Sequence, residues 1–367
     1  MKYLITFFVL FITVSVLAEP TLNYSDLNDD DFSLHVVDVG AGHCAIISAP
    51  GRNGTRRYMV FDTGKNKIAM STIKKQIGNK PIDVFVVSHA DYDHHKYAPD
   101  IVDNYEVKVL MRTGYERIDY GPSWESYKNY FNNLPASKTK IHINQNAEKT
   151  SITHDRKANI GDEFYVGNAD ITFVSGFGNK FPWAPVNKIN ERRNAVSIVL
   201  KIEYGGKSVL LTGDALGVDT EEDPEGKKAF ATEKFMVENN NKVSIDSDIL
   251  VAAHHGANNG SSTPFLEKVS PEIVIIPAGT AHGHPRKKAV ERMIATNSVK
   301  KIYRTDYGNR ESNKHDYNKK EWQFGNTESD QQVTDANGDD DVFIIITKDG
   351  KIKSGYTKQG AKPWVRD

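Results

Sequence analysis

The stretch Ser88-His89-Ala90-Asp91-Tyr92-Asp93-His94-His95 follows directly on an almost wholly apolar run at residues 83–87, and no other feature limits this chain's fold as much. The run reads as a strand buried on both faces, the pattern of a central parallel strand rather than an exposed edge. Imidazoles and carboxylates gathered at the end of such a strand are costly to desolvate unless something compensates. A divalent cation does, and these residue types are ligands for zinc, manganese or iron. Asp214 and the pair His254/His255 also follow apolar runs, at 208–211 and 249–253. Loops at one end of a sheet converge, so the three groups can share one site.

Short β-branched and aromatic runs at 34–39, 44–48 and 58–61 read as strands joined by tight turns. Further strands are expected at 107–111, 273–276, 299–304 and 342–347, and a hairpin over 195–202 and 208–211 turns through Tyr204-Gly205-Gly206. Helical spacing predicts helices over 66–77, near 99–104, and over 124–134, 229–238 and 287–296. Residues 113–190 are the least regular part. Strands precede helices in two similar halves, which predicts an α/β chain with two sheets and helices outside them.

Residues 1–18 carry one lysine and then an apolar run shorter than the ~20 residues that span a bilayer. Small or apolar residues follow where a signal peptidase cuts, so this segment is expected to be a cleaved signal peptide and the protein secreted or periplasmic. Residues 19–367 then form the working domain, with no later segment long and apolar enough to cross a membrane. A polar insertion is expected near 308–341. The single cysteine, Cys44, excludes an internal disulfide and reads as a small core residue. A net charge of −1 does not advertise nucleic acid as a partner, although a local groove can still be basic. Trp124, Tyr127, Tyr130, Phe131, Phe181 and Trp183 either flank a substrate groove or fill a satellite core.

His89-x-Asp91-x-Asp93-His94 resembles the signature of metallo-β-lactamase-fold hydrolases, and within them the ComEC-like subfamily, the extracellular domain of competence proteins. The remaining pieces follow in order. Val37-Asp38-Val39-Gly40 with Gly42 is similar to the opening strand and glycine loop, and Phe61-Asp62-Thr63-Gly64 to the first motif. Residues 194–200 resemble the strand before the fourth motif, Leu211-Thr212-Gly213-Asp214 that motif, and Ala253-His254-His255-Gly256 the fifth. Gly283-His284-Pro285 and Tyr303-Arg304-Thr305-Asp306 resemble C-terminal pieces of the subfamily. There are departures. The wider family has histidine where Asp91 stands and at the position matching Asn194, and His43 stands where relatives carry aspartate.

The resemblance implies an αββα four-layer sandwich with two divalent cations at one edge. The first would meet His89, Asp91 and a shared Asp214, with Asn194 as a further ligand or a structural hydrogen-bonding group. The second would meet Asp93, His94, Asp214 and one of His254 and His255, which one being open. Asp62 is expected to orient the ligand loop without binding metal. An oxygen-rich first shell favours Mn²⁺ or Mg²⁺, with Zn²⁺ admissible. The reaction implied is hydrolysis by a hydroxide generated between the cations, with Asp93 orienting the nucleophile and His284 stabilising charge or protonating the leaving group. An exported phosphodiesterase acting on DNA or RNA is the first expectation. A phosphorylcholine or other envelope phosphodiester hydrolase is the second, and a non-catalytic exported binding protein the third.

Overall fold

The computed structural model describes residues 21–115, 121–145, 155–178, 186–279, 284–305, 341–358 and 363–366. The expected signal peptide, residues 308–340 of the expected insertion, Phe181 and Trp183 lie outside the described residues.

Two sheets face each other. In the first, β1 (Phe32–Val36), β2 (Ala45–Ala49) and β3 (Arg57–Phe61) run antiparallel. From β3 the sheet continues in parallel through β4 (Ile82–Val87), β5 (Val107–Arg112), β6 (Thr139–Asn144) and β7 (Asp155–Arg156). In the second, β8 (Glu163–Val166), β9 (Ala169–Ser175), β10 (Val199–Tyr204) and β11 (Lys207–Leu211) run antiparallel. Parallel strands β12 (Ile249–Val251), β13 (Ile273–Ile276) and β14 (Lys301–Arg304) extend it. The chain then returns to the first sheet, where β15 (Val342–Ile346) lies between β1 and β16 (Ile352–Tyr356). It ends against β14 with β17 (Trp364–Val365).

Strand alternation builds the layers. Met59, Phe61, Val84 and Val86 face the second sheet and meet Phe173, Leu200, Leu211 and Ile275 in the central core. Their neighbours Tyr58, Val60, Phe85 and Val87 point outward, under helices α1 (Lys67–Ile77), α2 (Tyr92–His95), α3 (Ala98–Asn104) and α4 (Pro122–Asn132). A loop helix, α5 (Ile189–Ala195), precedes β10. Beyond it, α6 (Ala231–Glu238), α7 (Thr263–Val269) and α8 (Lys287–Ala295) cover the outer face of the second sheet around Leu250, Val274 and Ile302. Each such side chain contributes about 1.5–3 kcal/mol by leaving water. The result is the four-layer αββα sandwich, and no helix among the described residues is long and apolar enough to cross a membrane.

The structure departs from the sequence expectations where apolar residues are buried without joining a ladder. Val37 and Val39 pack under the helices, but β1 ends at Val36. Residues 195–198 are buried, yet α5 ends at Ala195 and Ile198 N–H donates to the Ser88 carbonyl. The least regular stretch holds β6 to β9, whose short, polar-interleaved sequences carry a weak signal. Beyond residues 342–347 the chain adds two strands not expected from the sequence, β16 and β17. Cys44 is buried and free. Trp124, Tyr127 and Phe131 are buried in one stack with His95 and belong to the core between the first sheet and its helices, so they fill core rather than flank a groove.

Candidate metal centre

The carboxyl ends of β3, β4, β11, β12 and β13 meet at one rim of the sandwich, the position where open parallel sheets bind ligands. Gly42 lets the loop after β1 close on this rim: a Cβ there would lie 2.6 Å from the Asp93 carbonyl oxygen. Asp62, His89, Asp93, His94, Asp214, His254 and His255 are all brought to it.

Their donor atoms fall into two sets divided by Asp214. His89 Nε2 stands 3.8 Å from Asp91 Oδ2 and 3.6 Å from Asp214 Oδ2, and His254 Nε2 stands 3.7 Å from the same Oδ2. On the other side, Asp214 Oδ1 lies 3.2 Å from His94 Nε2 and 3.4 Å from His255 Nε2. His255 Nε2 is 3.2 Å from His94 Nε2 and 3.8 Å from Asp93 Oδ2. The adjacent histidines diverge because both hold left-handed backbone, φ 51° and 54°. That conformation costs roughly 1–2 kcal/mol per non-glycine residue. Hydrogen bonds from His254 N–H to the Gly213 carbonyl and from Ala257 N–H to the His254 carbonyl hold the turn.

Three of the four imidazoles have the remote nitrogen tied back to a carbonyl or carboxylate oxygen. His94 Nδ1 donates to Asp62 Oδ2 at 2.8 Å, His255 Nδ1 to the Pro277 carbonyl at 2.6 Å, and His254 Nδ1 to Asn259 Oδ1 at 2.7 Å. Such contacts fix the tautomer and leave Nε2 lone pairs facing the carboxylates. Asp62 also accepts from Ser88 N–H and Oγ–H, both at 2.7 Å, and from His43 Nδ1 at 3.1 Å. Its oxygens are thus occupied by donors, which makes the His43–Asp62–His94 cluster a hydrogen-bonded support rather than a third donor set.

The electrostatics fit cations. Burial alone would raise the Asp214 carboxyl, but His255, His94, His254 and His89 hold it well below the carboxylate range. Burial would lower His94, yet Asp214 and Asp62 raise it well above the usual imidazole value, and Asp214 likewise raises His255. His254 is lowered, chiefly by burial. The buried atoms His89 Nε2 and Asp214 Oδ1 have no hydrogen-bond partner. Ligand atoms of His89, His94 and Asp214, and of Asp93, His94 and His255, gather closely enough to hold metal ions.

Three features were not read from the sequence. Arg193 Nε lies 2.5 Å from Asp91 Oδ1 and its Nη2 donates to Asp91 Oδ2 at 3.4 Å, so the guanidinium holds the carboxylate whose Oδ2 also faces His89. His43 is buried beside Asp62. Asn259 orients His254. The first had no local signal, since Arg193 lies 102 residues from Asp91. Asn194 itself reaches His254 Nε2 through Nδ2 at 3.0 Å. The His284 ring lies 5.7 Å from that of His254 and 6.3 Å from that of His255, at the edge of the same rim.

The sequence profile of the Metallo-beta-lactamase superfamily matches residues 37–279. The Bacillus subtilis protein named ComE operon protein 3 is 24% identical over 74% of this chain and 31% of its own length. Competence protein ComA of Neisseria gonorrhoeae is 34% identical over 76% of this chain and 31% of its own. This chain therefore spans about a third of the curated relatives it matches. Among solved structures, the metallo-beta-lactamase fold protein YhfI from Bacillus subtilis is 12% identical with a TM-score of 0.42, covering 76% of this chain and 98% of that one.

Proposed function

The chain belongs to the metallo-beta-lactamase superfamily, and from that membership and its divided donor sets we propose that it is an exported, two-metal phosphodiesterase acting on nucleic acid. The observation that carries the reading is the division of Asp214: Oδ2 faces His89 and His254, and Oδ1 faces His94 and His255. Asp91 completes the first set and Asp93 the second, which gives each position two nitrogens and two oxygens. Two divalent cations bound there supply Lewis acidity and a lowered water pKa. The mixed donor set suits Mn²⁺, with Mg²⁺ or Zn²⁺ as the alternatives tested below.

The chain's own residues do the rest. Asp93 is partly exposed beside His255 and can orient an attacking water. His284, at the rim, can hold a proton for the leaving oxygen. Tyr92 is 41% exposed between the two ligand aspartates, and the Lys96 ammonium stands 5.4 Å from its ring centroid. An exposed aromatic face beside a cation suits a base with its adjacent phosphate, which supports nucleic acid over a choline ester. The 1–18 pattern supports export, and the names of the competence relatives accord with DNA as substrate.

The test is hydrolysis by protein stripped of metal and reloaded with Mn²⁺, Mg²⁺ or Zn²⁺. Linear DNA, RNA, bis-p-nitrophenyl phosphate, a phosphorylcholine ester and a β-lactam are offered in parallel. Cleavage of nucleic acid that Asp93→Ala abolishes is the expected result. Cleavage of only the choline ester moves the activity to envelope chemistry, and bound metal without turnover of any of the five favours a binding protein or a substrate outside this set.

A further inference from the structure

A buried glutamate and a buried arginine lie behind the rim, outside every motif of the sequence. Glu233, from α6, is fully buried and accepts from Ser261 N–H at 2.6 Å, Ser262 N–H at 2.8 Å and Ser262 Oγ–H at 2.6 Å. Arg292, from α8, grips the same loop by its carbonyls. It donates to Ser261 O at 2.8 Å, Asn258 O at 2.9 Å and Gly260 O at 2.8 Å. A carboxyl group takes the loop's N–H groups and a guanidinium its C=O groups. The loop is therefore held on both polarities, in a shape that includes Ser261 at φ 58°.

The site has been cleared for this carboxylate. A Cβ on Gly217 would lie 1.8 Å from Glu233 Oε2. Gly217 and Val218 N–H in turn donate to the Asn259 carbonyl at 2.8 and 2.9 Å. Asn259 sits in the middle of the gripped loop, and its Oδ1 receives the Nδ1–H of His254. Burying a carboxyl and a guanidinium is expensive, and burial pushes the Glu233 carboxyl up to about 7 despite its three donors. A loop needing only to be closed would not require it, whereas a strained turn whose side chain must present one nitrogen at a fixed place does.

We propose that Glu233 and Arg292 are positioning residues for the first donor set: through the 257–262 loop and Asn259 they fix the tautomer and reach of His254, and with them that position's affinity for a divalent cation. The inference rests on the two-metal reading above.

The experiment counts Mn²⁺ bound to the stripped full chain, from the resonance signal of the free ion, in wild type and variants whose melting is checked in parallel. Wild type is expected to take up two ions in distinguishable steps. Asn259→Ala should weaken one step about 10- to 100-fold and leave the other unchanged. Glu233→Gln and Arg292→Lys should weaken the same step, and Glu233→Gln should add little once Asn259→Ala is present. Asn259→Asp, which keeps an acceptor for His254, should restore it. If Glu233→Gln and Arg292→Lys both melt lower yet bind two ions as wild type does, the pair is only structural and the inference is overturned while the two-metal reading stands. If wild type itself binds fewer than two ions, both fall.

Discussion

Asp62 and His94 share a buried hydrogen bond of 2.8 Å that decides which nitrogen of the imidazole faces Asp214. Asp62→Asn keeps the shape but sets an amide N–H₂ against imidazole or hydroxyl donors. Expected are a loss of about 1–3 kcal/mol in urea unfolding and a fall of about 10- to 100-fold in metal affinity. A folded D62N protein with wild-type metal uptake would show that His94 needs no carboxylate behind it.

Asp214 serves both donor sets and Asp93 serves one, so their substitutions should separate. Asp214→Ala should abolish uptake at both positions together with hydrolysis. Asp93→Ala should lose hydrolysis while the position around His89 and His254 still takes up an ion. Metal counts on dialysed protein check this. Equal counts in the two variants would contradict the division of donors at Asp214.

Arg193 holds the Asp91 carboxylate by both oxygens, Nε against Oδ1 and Nη2 against Oδ2, which also faces His89. Arg193→Lys keeps the charge but not the planar fork that orients a carboxylate. It should cost about 10-fold in first-position affinity with little change in melting temperature. Calorimetric titration with Mn²⁺ reads the effect, and an unchanged isotherm would reduce Arg193 to a surface counter-ion.

These relationships also show what a sequence exposes and what it hides. His89, Asp91, Asp93 and His94 are legible because they follow a strand apolar on both faces, where ligand chemistry has no other explanation. The reach of His254 and His255 to opposite oxygens of Asp214 is not, since it depends on two left-handed residues in succession that neither residue type announces. Arg193 is distant in sequence from the Asp91 it orients, and Asn259, though close in sequence to His254, reaches it through a left-handed turn that no periodicity announces. The sheets follow the same logic: strands β10 to β13 advertise themselves by apolar runs, while β6 to β9 are short and interrupted by polar residues. The return of β15 to the first sheet is a long-range pairing that local pattern does not encode.

Tyr92 tests the substrate class. If its exposed ring stacks a base, Tyr92→Ala should lower affinity for single-stranded oligonucleotide by about 1–3 kcal/mol, and Tyr92→Phe should not. An abasic oligomer of the same length should bind both proteins alike. Fluorescence anisotropy in the absence of turnover makes the comparison, and equal losses on the two oligomers would remove stacking from the account.

The histidines make the stability of the metal-free protein depend on pH in opposite directions. His43 and His254 are lowered below the ordinary value of 6.5, chiefly by burial. Between their folded values and 6.5 the unfolded chain binds more protons, so stability should rise as pH climbs to 6.5. His94 and His255 are raised above 6.5, since Asp214 outweighs the burial that would lower them. Their contribution is complete below 6.5 and is lost as pH rises through the folded values. The stripped protein should therefore melt highest near pH 6.5, with limbs as steep as about 1.4 kcal/mol per pH unit for each histidine that titrates. A cation needs both imidazoles neutral, so Mn²⁺ binding should release protons and strengthen with pH over the upper limb. Metal-loaded protein should then lose that limb and keep only the lower one. Melting curves from pH 5 to 8, with and without Mn²⁺, provide the check. A falling upper limb that persists in the loaded protein would mean that His94 and His255 keep their protons and do not hold the ion.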